Sequence, residues 1–465
     1  MRGMPVRADE ISPPSHTDPV VRGATTIVGG PVGKHARLGA ATFWTPARVL
    51  VSLAMLTFTL GFVMKAPCRG HAWTNHYQYT RLCYSDVYAL YFSEGIADGK
   101  VPYRDHPVEY PAVIGGLMWG AGTLSDDATD FFDVTAGMLL VCAVATVGLT
   151  AGSAGRRPWD AALVALAPGL LLHGTTNWDL AAVALAAGGL YAWSRRQPEV
   201  SGLLLGLAIA TKLYPVLFVV GLFFLCVRAG RWVEWLRMAA VAAGATLLAY
   251  LPVVAIANKF EVEACGHKVV QPAWQQFFTL NRCRGADWDS VAFAVNHLTG
   301  RSLGLDALNR VTALATLAVV AGVGLLVVTA PRRPRVAQVL FLLVAGFLLV
   351  NKVFSPQYTL WLIPLAALAR PRWGAFLAWQ GAEILVLFTR FYYFVNYDNP
   401  AQGIDGDWFV GAVLLRDALL LLVVALVVRE ILQPFHDVVR RDGEDDPAGG
   451  VLDGAFDRRD AVATA

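Results

Sequence analysis

Apolar runs of about 15 to 22 residues recur between residues 47 and 428, and this is the length that an α-helix needs to cross a lipid bilayer. Hydrophobic residues make up 56% of the chain and charged residues only 16%, against roughly 25% charged in an ordinary soluble domain. A soluble globular fold is therefore not expected. The pattern predicts an all-α polytopic membrane protein, a bundle of about twelve transmembrane helices.

The segments outside these runs predict two tails. Residues 1–46 contain Pro, Gly, Ser, Thr and scattered charges without periodicity, and residues 430–465 include an acidic patch at 442–446. Polar segments of this kind cannot bury enough apolar surface to fold on their own. We therefore expect a disordered tail over 1–46, a transmembrane domain over 47–429, and a mostly disordered tail over 430–465.

Basic residues indicate the topology of this multi-pass protein. Lys34 and Arg37 precede the first apolar run, and arginine pairs recur at every second connection after it. By the positive-inside rule both termini are cytoplasmic, and the long first loop, which carries interfacial helices, is extracytoplasmic in a cell membrane. The apolar segment from Tyr110 to Leu124 does not fit, because counting it as a crossing would invert every later basic loop. Either it is a short re-entrant or surface-lying helix, or two later short spans form one.

Cysteine positions agree with an extracytoplasmic location of these loops. Cys68 and Cys83 share the first outer loop, and Cys265 and Cys283 share a later one. Two pairs, each confined to one loop, fit two local disulfides in an oxidising compartment. Metal ligation is the alternative, but no CxxC or histidine spacing supports it, so we expect no metal site. No basic segment with interleaved aromatics indicates nucleic-acid binding.

The first outer loop contains the most polar and aromatic-rich stretch of the chain, residues 83–111. Asp86 stands at the start of SDVYALYFSEGIADG, whose apolar positions predict a helix that lies along the membrane interface. Asp86 is therefore a candidate catalytic carboxylate, with helix N-capping as the alternative. Further candidates for a substrate cavity are Asp105, His106, Glu109 and Tyr110. The flanking prolines fix an extended backbone that holds Glu109 near the membrane, or they form only a rigid loop that enters a helix.

Other polar residues lie at the outer ends of later spans: Asn177, Asp179, Lys212, Tyr214, Lys352, Gln357 and Tyr358. For Asp179, helix capping is the alternative to a role in the cavity. Lys212 and Lys352 end apolar spans on the outside, against the positive-inside bias. They either extend to lipid headgroups or bind a phosphate, for which lysine is a common ligand.

Four stretches carry a resemblance to a known family: SDVYALYFSEGIADGKVPYRDHPVEYP, NWDLAAVAL, ATKLYPVLFV and NKVFSPQYTLWLIPL. In this order and spacing they cover most of residues 47–390. The chain resembles the integral-membrane glycosyltransferases with the GT-C fold, and within them glycosyltransferase family 87. That family includes actinobacterial mannosyltransferases that depend on polyprenol-phosphomannose.

The resemblance implies transfer of a sugar from a polyprenyl-phosphate donor to a glycolipid or polysaccharide acceptor on the extracytoplasmic face. The sugar that the resemblance favours is mannose. Asp86 matches the position of the general base, and one such base serves an inverting single displacement. Lys212 and Lys352 become candidates for holding the donor phosphate, and Asn177 and Asp179 look like the lining of the same cavity. Membrane lipids are the further partners implied, and no cofactor is implied.

Three alternatives remain at this point. An arabinofuranosyltransferase would use the same type of donor. A secondary transporter or lipid flippase would place its polar residues near the bilayer midplane and in repeated halves, whereas this chain has no evident internal repeat and its polar groups cluster at one face. A non-catalytic scaffold would use the outer loops to bind another protein.

Overall fold

The computed structural model describes residues 11–12, 18–29, 43–69, 76–441, 443–455 and 457. Most of the predicted N-terminal tail over 1–46 lies outside these residues. The described part of the chain is mostly helical, which confirms an all-α polytopic membrane protein. Within these described residues, five helices are long and apolar enough to cross a membrane: Pro46–Met64, Ala128–Ser153, Trp232–Ile256, Leu305–Thr329 and Gly406–Leu432.

The other helices of eight or more residues are Pro19–Gly29, Asp86–Ser93, Ala112–Gly122, Asp179–Ser194, Pro198–Thr211, Val216–Ala229, Gln276–Cys283, Val291–Thr299, Val336–Val350, Thr359–Ala369 and Trp373–Asp398. Shorter helical turns lie between them. Residues 158–173, for example, form the short helices Pro158–Ala161, Ala162–Ala165 and Pro168–His173. Helix Ala112–Gly122 measures about 17 Å at 1.5 Å per residue, which is too short to cross a hydrocarbon core of about 30 Å.

Buried helices and close backbone contacts hold the bundle together. Every residue of Thr359–Ala369 is buried, so this helix lies in the centre of the bundle. Helix Pro198–Thr211 packs closely on Trp232–Ile256 because Gly202 and Gly206 face it, and a Cβ atom on either glycine would overlap a backbone carbonyl oxygen of that helix. Small residues at helix contacts are typical of membrane bundles, where van der Waals packing drives association.

At one end of the bundle, the C-terminal segment packs against the arginine-rich connections. The guanidinium of Arg335 pairs with Asp437, with Nε and Oδ2 2.7 Å apart, and it also donates to the carbonyl oxygens of Leu368 and Ala369. The indole Nε1 of Trp193 donates to Gly449 O at 3.0 Å. This packing differs from the mostly disordered tail expected over 430–465, because acidic and polar residues there neutralise buried helix ends.

The opposite end, which we call the cavity end, carries the long loops. A two-stranded antiparallel hairpin, Lys259–Ala264 with His267–Pro272, is a small addition to the predicted helical fold. Its approach is fixed by Asn258, whose Nδ2 donates to Arg104 O of the first loop at 2.7 Å. Both disulfides named in the sequence analysis, Cys68–Cys83 and Cys265–Cys283, are present at this end.

Candidate active site

A polar cavity of about 300 Å³ opens at the cavity end of the bundle. It lies between the first long loop, the ends of several helices and the segment that follows the hairpin. Of the residues singled out in the sequence, it is lined by Asp86, Glu109, Tyr110, Asn177, Lys212, Gln357 and Tyr358. The structure therefore brings together residues from four separate stretches of the chain.

The backbone around Asp86 explains how its carboxylate reaches the cavity. Ser85, not Asp86, is the N-cap of helix Asp86–Ser93, because its hydroxyl oxygen accepts from Val87 N at 3.2 Å. The same hydroxyl donates to Thr175 O at 2.8 Å, and Asp86 N donates to Thr176 O at 2.8 Å. The carboxylate of Asp86 is thus not required for capping and faces the cavity.

Polar neighbours hold the Asp86 carboxylate in place. Asn177 Nδ2 donates to Asp86 Oδ2 at 3.4 Å, and the Tyr84 hydroxyl also hydrogen-bonds the carboxylate. Burial raises the pKa of Asp86 above its usual value, although the Tyr84 hydroxyl and the charges of Arg390 and Lys212 act in the opposite direction. A carboxylate whose pKa is raised accepts a proton more readily, as a general base must.

Lys212 lines the same cavity and forms an ion pair with a fully buried carboxylate. Its Nζ lies 2.9 Å from Asp179 Oδ1, and the Asp179 carboxylate is wholly inaccessible to solvent. The ammonium also lies 5.0 Å from the ring centre of Tyr110 and 5.4 Å from that of Tyr358. Asn177 joins the two halves of the site, because its Oδ1 accepts from Asp179 N at 3.0 Å while its amide contacts Asp86.

Glu109 supplies a second carboxyl group to the cavity wall. Its backbone N donates to Glu94 Oε1 at 3.3 Å, and His106 Nε2 lies 3.4 Å from the other oxygen of Glu94. Burial, followed by the charges of Glu94 and Asp86, raises the pKa of Glu109 to about 7. This carboxyl group therefore changes its charge near neutral pH.

Residues 128–356 match the model of glycosyltransferase family 87. This match, over just under half of the chain, identifies the protein as a glycosyltransferase. A comparison with curated proteins finds no match. The matched residues of this glycosyltransferase include Asn177, Lys212 and Lys352, whereas Asp86 and Glu109 precede the matched stretch.

Five candidate residues of the glycosyltransferase do not line the cavity: Asp105, His106, Asp179, Tyr214 and Lys352. Asp105 is exposed and paired with Arg104 at 2.7 Å, so it points away from the site. Tyr214 is buried beneath the cavity and stacks on Trp361 with ring centres 4.2 Å apart. His106 and Asp179 lie behind the cavity wall. His106 contacts Glu94, and Asp179 pairs with Lys212.

Lys352 is a candidate phosphate ligand by sequence, but its ammonium group is directed elsewhere. Nζ donates to Arg284 O and to Asn309 Oδ1, each at 2.6 Å, and lies 3.3 Å from Arg282 O. The lysine does end an apolar helix at the cavity end, as the sequence indicates. Its side chain stabilises the segment after the hairpin instead of entering the cavity.

The cavity is also lined by three basic side chains that sequence reasoning did not select: Lys65, Arg284 and Arg390. Lys65 ends the first apolar helix and donates to Tyr84 O at 2.8 Å, so the rule that drew attention to Lys212 applies to it as well. Arg390 pairs with a residue outside its own helix, because its Nε lies 3.4 Å from Asp289 Oδ2 in the connection before Val291–Thr299. No sequence signal distinguishes Arg284.

One cluster in the described part of the chain has the spacing of a metal site. It consists of the exposed residues His297, Asp405 and Asp407. None of these residues lines the cavity, so the cluster takes no part in chemistry at the candidate active site.

Proposed function

We propose that this glycosyltransferase transfers mannose from a polyprenyl-phosphate donor to a lipid-linked or glycan acceptor, within a GT-C-type fold. The observation that carries the proposal is the sharing of one cavity by the Asp86 carboxylate and several cations. Lys212, Arg284 and Arg390 all line it. A base and a cationic pocket for a departing phosphate are the two requirements of this reaction. The choice of mannose is supported by the resemblance of the sequence motifs.

The reaction is a single displacement. The acceptor hydroxyl attacks the anomeric carbon while Asp86 accepts its proton, and the bond between that carbon and the phosphate oxygen breaks. The electron pair of that bond leaves with polyprenyl phosphate, and the anomeric configuration is inverted. Because phosphate leaves without protonation, no general acid is needed, in contrast to glycosidases with two opposed carboxylates. Asn177 orients Asp86 through the bond from its amide.

The cations stabilise the negative charge that develops on the leaving phosphate. Lys212 is the central candidate, because Asp179 and the rings of Tyr110 and Tyr358 fix its ammonium at the cavity wall. Lysine acts as a point charge towards phosphate, and such preorganised charges lower the barrier without reorganisation. Lys352 does not contact the phosphate in this scheme.

We place the cavity end on the extracytoplasmic side of a cell membrane and both termini in the cytoplasm. Both disulfides lie at the cavity end, and disulfides persist in oxidising compartments. The buried arginines Arg228 and Arg335 lie at the other end. This distribution follows the positive-inside rule. Lipid-phosphate sugars are the donors suited to a compartment without nucleotide sugars.

The test is substitution of Asp86 by Asn in purified protein reconstituted in lipid discs. The assay measures transfer of labelled mannose from polyprenyl-phosphomannose to lipids extracted from a strain that lacks the protein. We expect kcat to fall by about 10²- to 10⁴-fold, the usual contribution of a general base. Asp98→Asn is the matched control, because Asp98 lies in the same loop with its side chain 67% exposed.

Unchanged turnover by the Asp86→Asn variant would refute the assigned role. Turnover of polyprenyl-phosphoarabinofuranose in place of the mannose donor would keep the mechanism and change the sugar. Movement of labelled lipid across the bilayer without transfer would instead support a flippase.

A further inference from the structure

One wall of the cavity comes from the segment after the hairpin. Phe277, Leu280, Asn281 and Arg284 all line the cavity, and they occupy positions i, i+3, i+4 and i+7 along and just beyond helix Gln276–Cys283. Side chains with this spacing share one face of a helix. The helix therefore presents one face to the cavity, and Arg284 stands at its C-terminal end.

A disulfide and a set of hydrogen bonds hold this helix in place from the side away from the cavity. The Cys265–Cys283 disulfide ties the end of the helix to the turn of the hairpin. The ammonium of Lys352, a residue that is only 7% exposed, donates to Arg284 O and also lies within hydrogen-bond distance of Arg282 O. A buried charge therefore stabilises the backbone of the residue that supplies the guanidinium.

Among the residues that the structure describes, the Arg284 guanidinium is held at one edge. Its Nη2 lies 3.3 Å from Asp287 Oδ1, and its side chain is 43% exposed. Asp287 is anchored in turn, because its backbone N donates to Lys352 O at 2.8 Å. A guanidinium has five N–H donors in a planar fork, so pairing at one edge leaves donors for a second anion.

We propose that Arg284 is a ligand of the phosphate of the lipid-linked sugar donor, and that Lys352 is a positioning residue that acts through the backbone of Arg284. The proposal rests on the proposed function. A guanidinium can bind two phosphate oxygens at once, which a lysine ammonium does not do. Lys352 would have to give up its carbonyl and amide acceptors to reach the phosphate directly. The two residues thus act together: Arg284 contacts the substrate, and Lys352 holds Arg284 in position.

The first experiment measures the donor KM and kcat of Arg284→Ala and Arg284→Lys. We expect the alanine variant to raise the donor KM by about 10- to 100-fold, the usual effect of losing hydrogen bonds to a charged group. The lysine variant should restore part of the affinity. Arg282→Ala is the matched control, because Arg282 lies on the same helix and does not line the cavity. An unchanged donor KM in Arg284→Ala would overturn the proposal.

The second experiment separates positioning from direct contact. Lys352→Met should raise the donor KM as Arg284→Ala does, and the variant that carries both changes should be no worse than Arg284→Ala alone, because the residues act as a unit. Fully additive effects would show that Lys352 binds the phosphate by itself. If Lys352→Met does not fold, the variant with Cys265→Ser and Cys283→Ser loosens the same wall, and it too should raise the donor KM. An unchanged KM there would count against the positioning of Arg284.

A binding measurement distinguishes this inference from the proposed function. Polyprenyl monophosphate without sugar is titrated onto the purified protein, and its affinity should fall in Arg284→Ala. If the wild-type protein binds this lipid through Arg284 but transfers no sugar from the lipid-linked donor, the proposed reaction fails while the phosphate site stands. If transfer occurs and Arg284→Ala binds the lipid normally, the site fails while the reaction stands.

Discussion

Removal of either member of the Lys212–Asp179 pair should strongly destabilise the protein. Nζ and Oδ1 are 2.9 Å apart, the Asp179 side chain is fully buried, and the Lys212 side chain is only 10% exposed. Breaking a buried ion pair by removing one partner costs about 3–5 kcal/mol, because the other charge is left without compensation. We therefore expect losses of this size in the free energy of unfolding for Asp179→Asn and for Lys212→Met.

The double variant decides whether the pair itself is responsible. Because it removes both charges of the pair, it should lose less than the sum of the two single variants, with a coupling energy of about 1.5 kcal/mol or more. The assay is unfolding in mixed detergent micelles, followed by the fluorescence of tryptophans such as Trp178, which is fully buried beside Asp179. Additive losses would refute the reasoning.

The same pair makes a prediction about ligand binding. In Asp179→Asn the Lys212 ammonium has lost its buried counter-ion, and a phosphate in the cavity can replace it. Polyprenyl phosphate should therefore stabilise Asp179→Asn more than it stabilises the wild-type protein. Equal stabilisation of the two proteins would show that the phosphate does not reach Lys212.

Two further predictions concern other parts of the structure. Because the pKa of Glu109 is raised to about 7, its carboxyl group is mostly neutral below that pH and negative above it, so the donor KM should rise as the pH increases through 7. Glu109→Gln should abolish this rise, and a persistent rise would assign the titration to another group. Asp437→Ala leaves Arg335 buried without its counter-ion and should lower the free energy of unfolding by about 3–5 kcal/mol. Asp453→Ala, at an exposed pair, should cost less than about 1 kcal/mol, and equal losses in thermal unfolding would contradict the argument.

The sequence located the candidate site through the ends of apolar runs. Asp86, Asn177 and Lys212 are polar residues that stand next to long apolar runs. Polar residues in such positions are easily recognised in the sequence. The rule states which end of the bundle a residue occupies but not where its side chain points. Lys352 satisfies the rule as well as Lys212 does, yet its ammonium turns to Arg284 O and away from the cavity.

Features that depend on long-range contacts were beyond the sequence. Arg284 lines the cavity because a disulfide-linked helix folds back over the cavity. The periodicity of the sequence does not predict this arrangement. The C-terminal segment has the composition of a tail, but Asp437 neutralises Arg335, which lies 102 residues earlier. Composition compares neighbours along the chain and is insensitive to such pairs. Ser85, in contrast, is a common N-cap residue and directly precedes the helix. Its position is a signal in the sequence that Ser85, and not Asp86, caps this helix.

The residues that line the cavity run from Lys65 to Phe394 along the chain. During synthesis the proposed base at Asp86 is therefore translated and inserted long before Arg284 and Arg390 exist. Contacts so distant in sequence form slowly, because the intervening chain must be ordered first. A nascent protein thus holds an incomplete and inert cleft until nearly all of its helices are in the bilayer. Truncated products released early by the ribosome lack the later residues that complete this cavity.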